Sequence, residues 1–285
     1  MVTKITRSGN EEILEWWWAA EDELIPQPFY TSCYLIDGLL IDCGAPGGVN
    51  DFREFVVTQL GNQGIDKCII THTHEDHIGG AHVLQEEHGI PLYASNEAIA
   101  ILKNGFSYQP YRQLYWGSDL RTADAKPLPG KVSSESGKYT FHIVPTPGHA
   151  PDQVAFIEKQ EQWAFVADAV LPKYKLLFGG TCNIQEDVSL IYYSILRLYE
   201  FTEGIDNLQV FVSGKGTFKG REYLKERILE LENFRKTAHG LLNKGLDEQQ
   251  ILDEMFGGES VIGMFTDGEL SRMNLVKSLL KWSPE

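Results

Sequence analysis

The sequence predicts an α/β fold, and three observations carry that expectation. Short apolar runs of β type recur, as at Ser32–Ile36, Leu39–Ile41, Cys68–Ile70 and Tyr139–Pro145. Amphipathic helical stretches lie between or after them, as at Asn50–Gly61 and Asp187–Phe201. Turn residues mark the junctions: Asp37-Gly38, Gly79-Gly80 and Pro147-Gly148. At 285 residues the chain is long enough to bury a sizeable core, as one large domain or one with an appendage.

Taken in order, the elements begin with short β-type runs from Ile13 to Cys43. Alternation leaves one of Trp16, Trp17 and Trp18 off the core face. An edge strand with indoles folded over the hydrophobic layer is expected, a substrate wall being the alternative. Asp37-Gly38 between two apolar runs signals a tight hairpin. Asn50 is expected to cap a helix with Phe52, Phe55, Val56 and Leu60 inward. Cys68–Ile70 reads as a buried strand, after which Gly79-Gly80 lets the chain swing into a helix, Ala81–His88. His82 and His88 are expected at its surface, His88 at the favourable C-terminal end of the dipole. Pro91–Ala94 is another strand.

Residues 104–132 look irregular. Tyr108, Tyr111, Tyr115 and Trp116 there either seal the loop or line a pocket. Arg112 is either solvated or an anchor for an anionic substrate. Tyr139–Pro145 alternates as a strand with His142 on one face, and Gln162–Val166 is a further strand. Asp187–Phe201 forms a helix with Leu190, Ile191, Ser194, Ile195 and Leu198 inward. Leu208–Val212 is the strand that presents Lys215. Three helices follow, Arg221–Leu242, Asp247–Phe256 and Glu269–Trp282.

The chemistry concentrates in His72-Thr73-His74-Glu75-Asp76-His77, at a strand end. Imidazole and carboxylate suit zinc, iron or manganese. Alternate residues of an extended segment share a face, so His72 and His74 can grip one ion together. Asp76 and His77, on the bend that follows, can serve a neighbouring position. A polar surface turn explains a single histidine well, but it explains three histidines and an aspartate within six residues badly.

This pattern resembles the signature of the metallo-β-lactamase superfamily. Thr146-Pro147-Gly148-His149 and Phe165-Val166-Ala167-Asp168 match the later His and Asp motifs of that family in type and order. The match fails at the final His, where Ser213-Gly214-Lys215-Gly216 puts Lys215 in the ligand's place. The resemblance covers most of Tyr30 to Gly216. It implies a four-layer αββα sandwich over residues 1–219 with a C-terminal helical extension, 220–285, packed on it. It also implies one metal held by His72, His74 and His149, and a second by Asp76, His77 and a bridging Asp168. Asp76 is then the catalytic carboxylate that orients the nucleophile or takes its proton. Asp42 resembles the strand-end Asp that braces the metal loop, plain turn capping being the alternative.

An ammonium has no lone pair, so Lys215 weakens the second site, pairs there with Asp76 or Asp168, or holds an anionic group of the substrate. One tightly bound zinc with a weak second site is expected, iron or manganese being alternatives. The resemblance implies a hydrolase of small esters, thioesters or lactones, as in the hydroxyacylglutathione-hydrolase and lactonase branches. The alternatives are a mononuclear iron enzyme like the persulfide dioxygenases and a non-catalytic metal-binding member.

Bulk properties narrow the partners. A formal net charge of −15 argues against nucleic acid, whose binders usually carry basic patches. No apolar run reaches the roughly 18 residues of a membrane span, and Met1–Glu12 lacks a signal's apolar core. A cytoplasmic protein acting on a small molecule is expected, with a homodimer left open. Cys33, Cys43, Cys68 and Cys182 form no C-x-x-C pair, and Cys43 alone lies on a loop that can face the metals.

Overall fold

The computed structural model describes residues 2–25 and 28–283. By their contacts they divide into two units. The first comprises residues 2–145, 152–167 and 207–218 and the second residues 146–151, 168–206 and 219–283, within those described.

The first unit opens with β1 (Val2–Ser8), β2 (Ile13–Ala19), β3 (Thr31–Ile36) and β4 (Leu39–Ile41), an antiparallel run. After α1 (Val49–Asn62) come β5 (Lys67–Ile69), α2 (Glu75–Ile78) and β6 (Leu92–Ala94). Then follow α3 (Asn96–Asn104), α4 (Pro110–Trp116) and β7 (Lys126–Pro127). β4 to β7 pair in parallel, so β1 to β7 make one mixed sheet in chain order. A second sheet is built from β8 (Lys131–Ser133), β9 (Thr140–Pro145), β10 (Val154–Glu158) and β11 (Trp163–Ala167). The chain then leaves for the other unit, which holds β12 (Leu177–Phe178) and α5 (Val188–Phe201), and returns to add β13 (Gln209–Val212) and β14 (Gly216–Lys219).

Two cores result. Ile36, Leu39, Ile41 and Ile69 of the first sheet meet Phe141, Phe156, Phe165 and Phe211 of the second, with Phe165 and Phe211 stacked 4.5 Å apart. On the other face of the first sheet, Trp16, Trp18, Leu35 and Cys68 meet Phe52, Phe55 and Val56 of α1. That sheet is apolar on both sides, as one covered on both faces requires.

The tryptophans correct one expectation. β2 is paired on both sides, by β1 and β3, so it is an inner strand. Trp16 and Trp18 are buried against α1, while Trp17 lies under Lys4 and donates to Thr6 Oγ1 at 3.1 Å. The edge belongs to β1, whose polar alternation hid it. The Asp37-Gly38 turn is as expected, both residues having positive φ (44° and 72°).

Helix details also differ. Gly48 is the N-cap of α1, and Asn50, inside the first turn, accepts from Arg53 instead. Leu60 and Leu190 face outward on α1 and α5, at 37% and 45% exposure. His82 is buried rather than at the surface, which pushes its pKa down. Residues 104–132 are not wholly irregular, because Pro110 starts α4 and Gly117 ends it.

In the second unit, α6 (Glu222–Leu242), α7 (Glu248–Phe256), α8 (Val261–Phe265), β15 (Leu270–Ser271) and α9 (Arg272–Lys281) follow the return strands. β12 pairs β15, and α6 packs against α5 and α9. Asp247 and Gln250 close a capping box on α7. Among the described residues, no helix is long and apolar enough to cross a membrane.

Candidate metal centre

Parallel pairing of β4 and β5 puts their carboxyl ends side by side, with Ile41 opposite Ile69. Asp42 therefore leaves β4 next to the turn that leaves β5. Its carboxylate accepts from Thr71 N and Thr71 Oγ1, both at 2.8 Å, and from His77 Nδ1 at 2.8 Å. Asp42 is 1% exposed with a positive φ of 59°, a region that Asp tolerates better than most side chains. Through these bonds Asp42 ties the end of β4 to Thr71 and His77.

The same network orients His72. Thr71 Oγ1 lies 3.1 Å from His72 Nδ1 and spends its own proton on Asp42, so the ring nitrogen is the donor in that pair. His72 and His77 thus carry a proton on Nδ1 and present the Nε2 lone pair. His72 stands 4.6 Å from His74 and 4.2 Å from His77, ring centre to ring centre. Asp76 Oδ2 lies 3.4 Å from His77 Nε2.

The backbone of the loop is held as firmly as its rings. Thr73 N donates to Asp152 at 2.8 Å, and Thr31 Oγ1 donates to the Asp76 carbonyl at 2.6 Å. Asp76 and His77 lie in the first turn of α2, which begins before Gly79-Gly80 instead of after it. The two glycines are needed for space. A Cβ on Gly79 would come within 2.2 Å of the Ala45 and Pro46 backbone, and one on Gly80 within 2.3 Å of Phe52. Cys43 sits in the core behind this loop, its Sγ donating to the His77 carbonyl at 3.3 Å.

Glu75, between His74 and Asp76, is wholly buried and paired with Arg112 of α4. Burial pushes its carboxyl up to about 7, Arg112 opposing and Asp76 adding to the rise. Arg112, itself 4% exposed, is thus buried in an ion pair rather than solvated.

In the second unit, Gly148 adopts a φ of 135° and packs so closely on α5 that a Cβ would lie 2.4 Å from Ile191 N. His149 follows, with Nδ1 2.6 Å from Glu186 Oε1 and Nε2 3.5 Å from Asp168 Oδ2. Glu186 Oε2 accepts from Phe178 N at 2.6 Å, which fixes that carboxylate. Nδ1 is again the backed nitrogen.

Lys215, like His72, His74 and His77, belongs to the first unit. It is exposed on the turn between β13 and β14, with Nζ 5.4 Å from the centre of the Phe29 ring. Ser32 and Ser213 lock that turn to β3 through two bonds of 3.0 Å. Sequence reasoning missed Glu186, Asp152 and the Glu75–Arg112 pair. Asp152 stood three residues past His149 and carried a weak signal, whereas Glu186, 37 positions from its partner, carried none.

The chain therefore contains a His/Asp group with the donor set to hold a metal ion. A sequence model of the metallo-β-lactamase superfamily matches residues 26–199. The hydroxyacylglutathione hydrolase GloC of Haemophilus influenzae is 28% identical over 160 residues, 52% of this chain and 71% of that protein. A probable metallo-hydrolase of Methanocaldococcus jannaschii is also 28% identical, over 57% of this chain and 80% of that protein. Against the hydroxyacylglutathione hydrolase of Legionella pneumophila the identity is 25%, and the chain spans about half (54%) of its length. Among solved structures, a metallo-β-lactamase from Pontibacter korlensis superposes with a TM-score of 0.62 at 18% identity, covering 81% of this chain and 100% of that one. The fold is shared at that distance, an α/β fold with mixed sheets and helices.

Proposed function

The chain belongs to the metallo-β-lactamase superfamily, and from that premise we propose that it is a metal-dependent hydrolase of a small ester, thioester or lactone. One observation supports this reading above the others. His72, His77 and His149 each have Nδ1 backed by an oxygen, supplied or oriented by the carboxylates of Asp42 and Glu186. Carboxylate backing of this kind fixes the tautomer of ligating histidines and strengthens them as donors.

In the proposed arrangement His72, His74 and His149 take one ion, most readily zinc. Asp76, His77 and Asp168 would hold a second. The donor set of imidazole and carboxylate suits either position. When bound, such an ion acidifies water and polarises a substrate carbonyl oxygen. Asp76 orients the attacking water and receives its proton. Water adds across the acyl–oxygen or acyl–sulfur bond, and an acid and an alcohol or thiol leave. Lys215 supplies no lone pair, so the second ion is bound more weakly than the first. The several hydroxyacylglutathione hydrolases among the relatives favour a thioester substrate.

Protein purified without added metal tests this. It should carry close to one zinc and hydrolyse thioesters or lactones, and His72→Ala and His149→Ala should lose both properties. Retention of metal and activity in both variants refutes the proposal. Stoichiometric iron with oxygen uptake on a thiol persulfide replaces it with the redox alternative.

A further inference from the structure

Glu75 and Arg112 form a buried ion pair that core packing alone does not explain. Glu75 opens α2, joined covalently to His74 on one side and Asp76 on the other. It is 0% exposed, and Arg112, from the middle of α4, is 4% exposed. Burying two charges costs several kcal/mol per ion before their attraction returns it, and an apolar pair of equal volume often serves stability as well or better. Such a pair is therefore a poor device for simply attaching α4. It is a good device for fixing where one backbone segment lies.

The attachment of α4 supports this. At the C-terminal end of the helix, Gly117 lies so close to Gly47 that a Cβ would fall 2.4 Å from Gly47 N. Gly47 belongs to the short helical turn Pro46–Gly48, and the backbone of Ala45 and Pro46 is what Gly79, just after α2, packs against. Tyr108 closes the helix on itself, Oη donating to the Gly117 carbonyl at 2.5 Å, and its ring lies 5.7 Å from the Arg112 guanidinium. α4 is thus fixed at both borders of α2, by the ion pair at its start and by the glycine contact after its end.

We propose that Arg112 is a positioning residue for the metal centre. It holds Glu75 and, through the backbone of that residue, sets the directions of His74 and Asp76. Arg112 touches neither metal nor substrate in this role. The inference rests on the reading that His74 and Asp76 serve a metal.

Full-length protein at pH 8 tests it, by zinc titration against a chromophoric chelator and by the visible spectrum of the cobalt form. Arg112→Met should weaken zinc binding about 10- to 100-fold and alter the cobalt spectrum. Arg112→Lys should recover part of each. A core variant of comparable melting temperature, Val210→Ala, should change neither, which separates positioning from stability. Wild-type affinity and spectrum in Arg112→Met overturn the proposal. Should that variant not fold, wild-type values in both Arg112→Lys and Glu75→Gln overturn it equally. Zinc binding unaffected by His72→Ala overturns the metal-centre reading itself and this inference with it.

Discussion

Replacing Asp42 by Asn separates what its carboxylate does from what its backbone does. Asn adopts positive φ at least as readily as Asp, so the 59° conformation brings no strain. The Asn oxygen can keep the 2.8 Å bond from Thr71 N. Its NH2 group then occupies the place of Oδ2, which accepts from both Thr71 Oγ1 and His77 Nδ1. Neither bond survives unchanged. His77 must offer its Nδ1 lone pair to the amide, which moves its proton to Nε2, and the Thr71 hydroxyl turns its proton toward His72 Nδ1 with the same effect. Two bonds to a charged acceptor, each worth about 1.5–3 kcal/mol, are exchanged for neutral ones of about 1 kcal/mol. The expected loss of stability is about 2 kcal/mol. The expected loss of zinc affinity is about 100-fold, because two rings then present a proton where a lone pair is needed. Denaturant unfolding of the metal-free protein gives the first number and chelator competition the second. Zinc affinity within twofold of wild type would refute the idea that this network sets the tautomers.

Two further expectations follow from carboxylates that sequence reasoning left unassigned. In Glu186→Gln one carboxylate oxygen becomes an NH2 group, so the side chain cannot accept from both His149 Nδ1 and Phe178 N, which now lie 2.6 Å from Oε1 and Oε2 respectively. Zinc affinity by the same competition assay should fall about 10- to 100-fold, with only a small change in melting temperature. For Glu75, the folded carboxyl is raised from 4.5 to about 7, so its contribution to stability is fully present below about 4.5 and is lost as pH rises through about 7. Metal-free wild type should therefore lose up to about 3 kcal/mol relative to Glu75→Gln between pH 5 and pH 8, measured by urea unfolding. A flat difference across that range would refute it.

The elements of the fold were legible where local pattern decides them, and the misses have local causes. Ile36, Asp37, Gly38 and Leu39 encode their hairpin outright, because two adjacent residues with positive φ admit few alternatives. β1, Val2–Ser8, was missed because its burial is sparse and it reads as polar, yet its pairing is what turns β2 from an edge strand into an inner one. Leu190 looked inward by spacing alone, but α5 turns a narrower stripe, Ile191, Ser194, Ile195 and Leu198, to the core. α4 was hidden because a seven-residue helix between Pro110 and Gly117 is too short to show a period.

The metal centre divides along a sharper line. Its ligand candidates stand in short motifs, because a strand end can present two or three side chains to one ion and spacing records that. The groups that aim those side chains come from wherever the fold brings a carboxylate, and no periodicity links them to what they hold. Asp42 reaches His77 across 35 positions and Glu186 reaches His149 across 37. Asp42 could be foreseen only through the family resemblance, which expects an Asp at that strand end, whereas Glu186 precedes a helix cap with nothing to mark it. Arg112 was misjudged for the same reason. An arginine in an irregular stretch looks solvated until its partner is seen to be a carboxylate locked between His74 and Asp76, where desolvation makes each charge depend on the other.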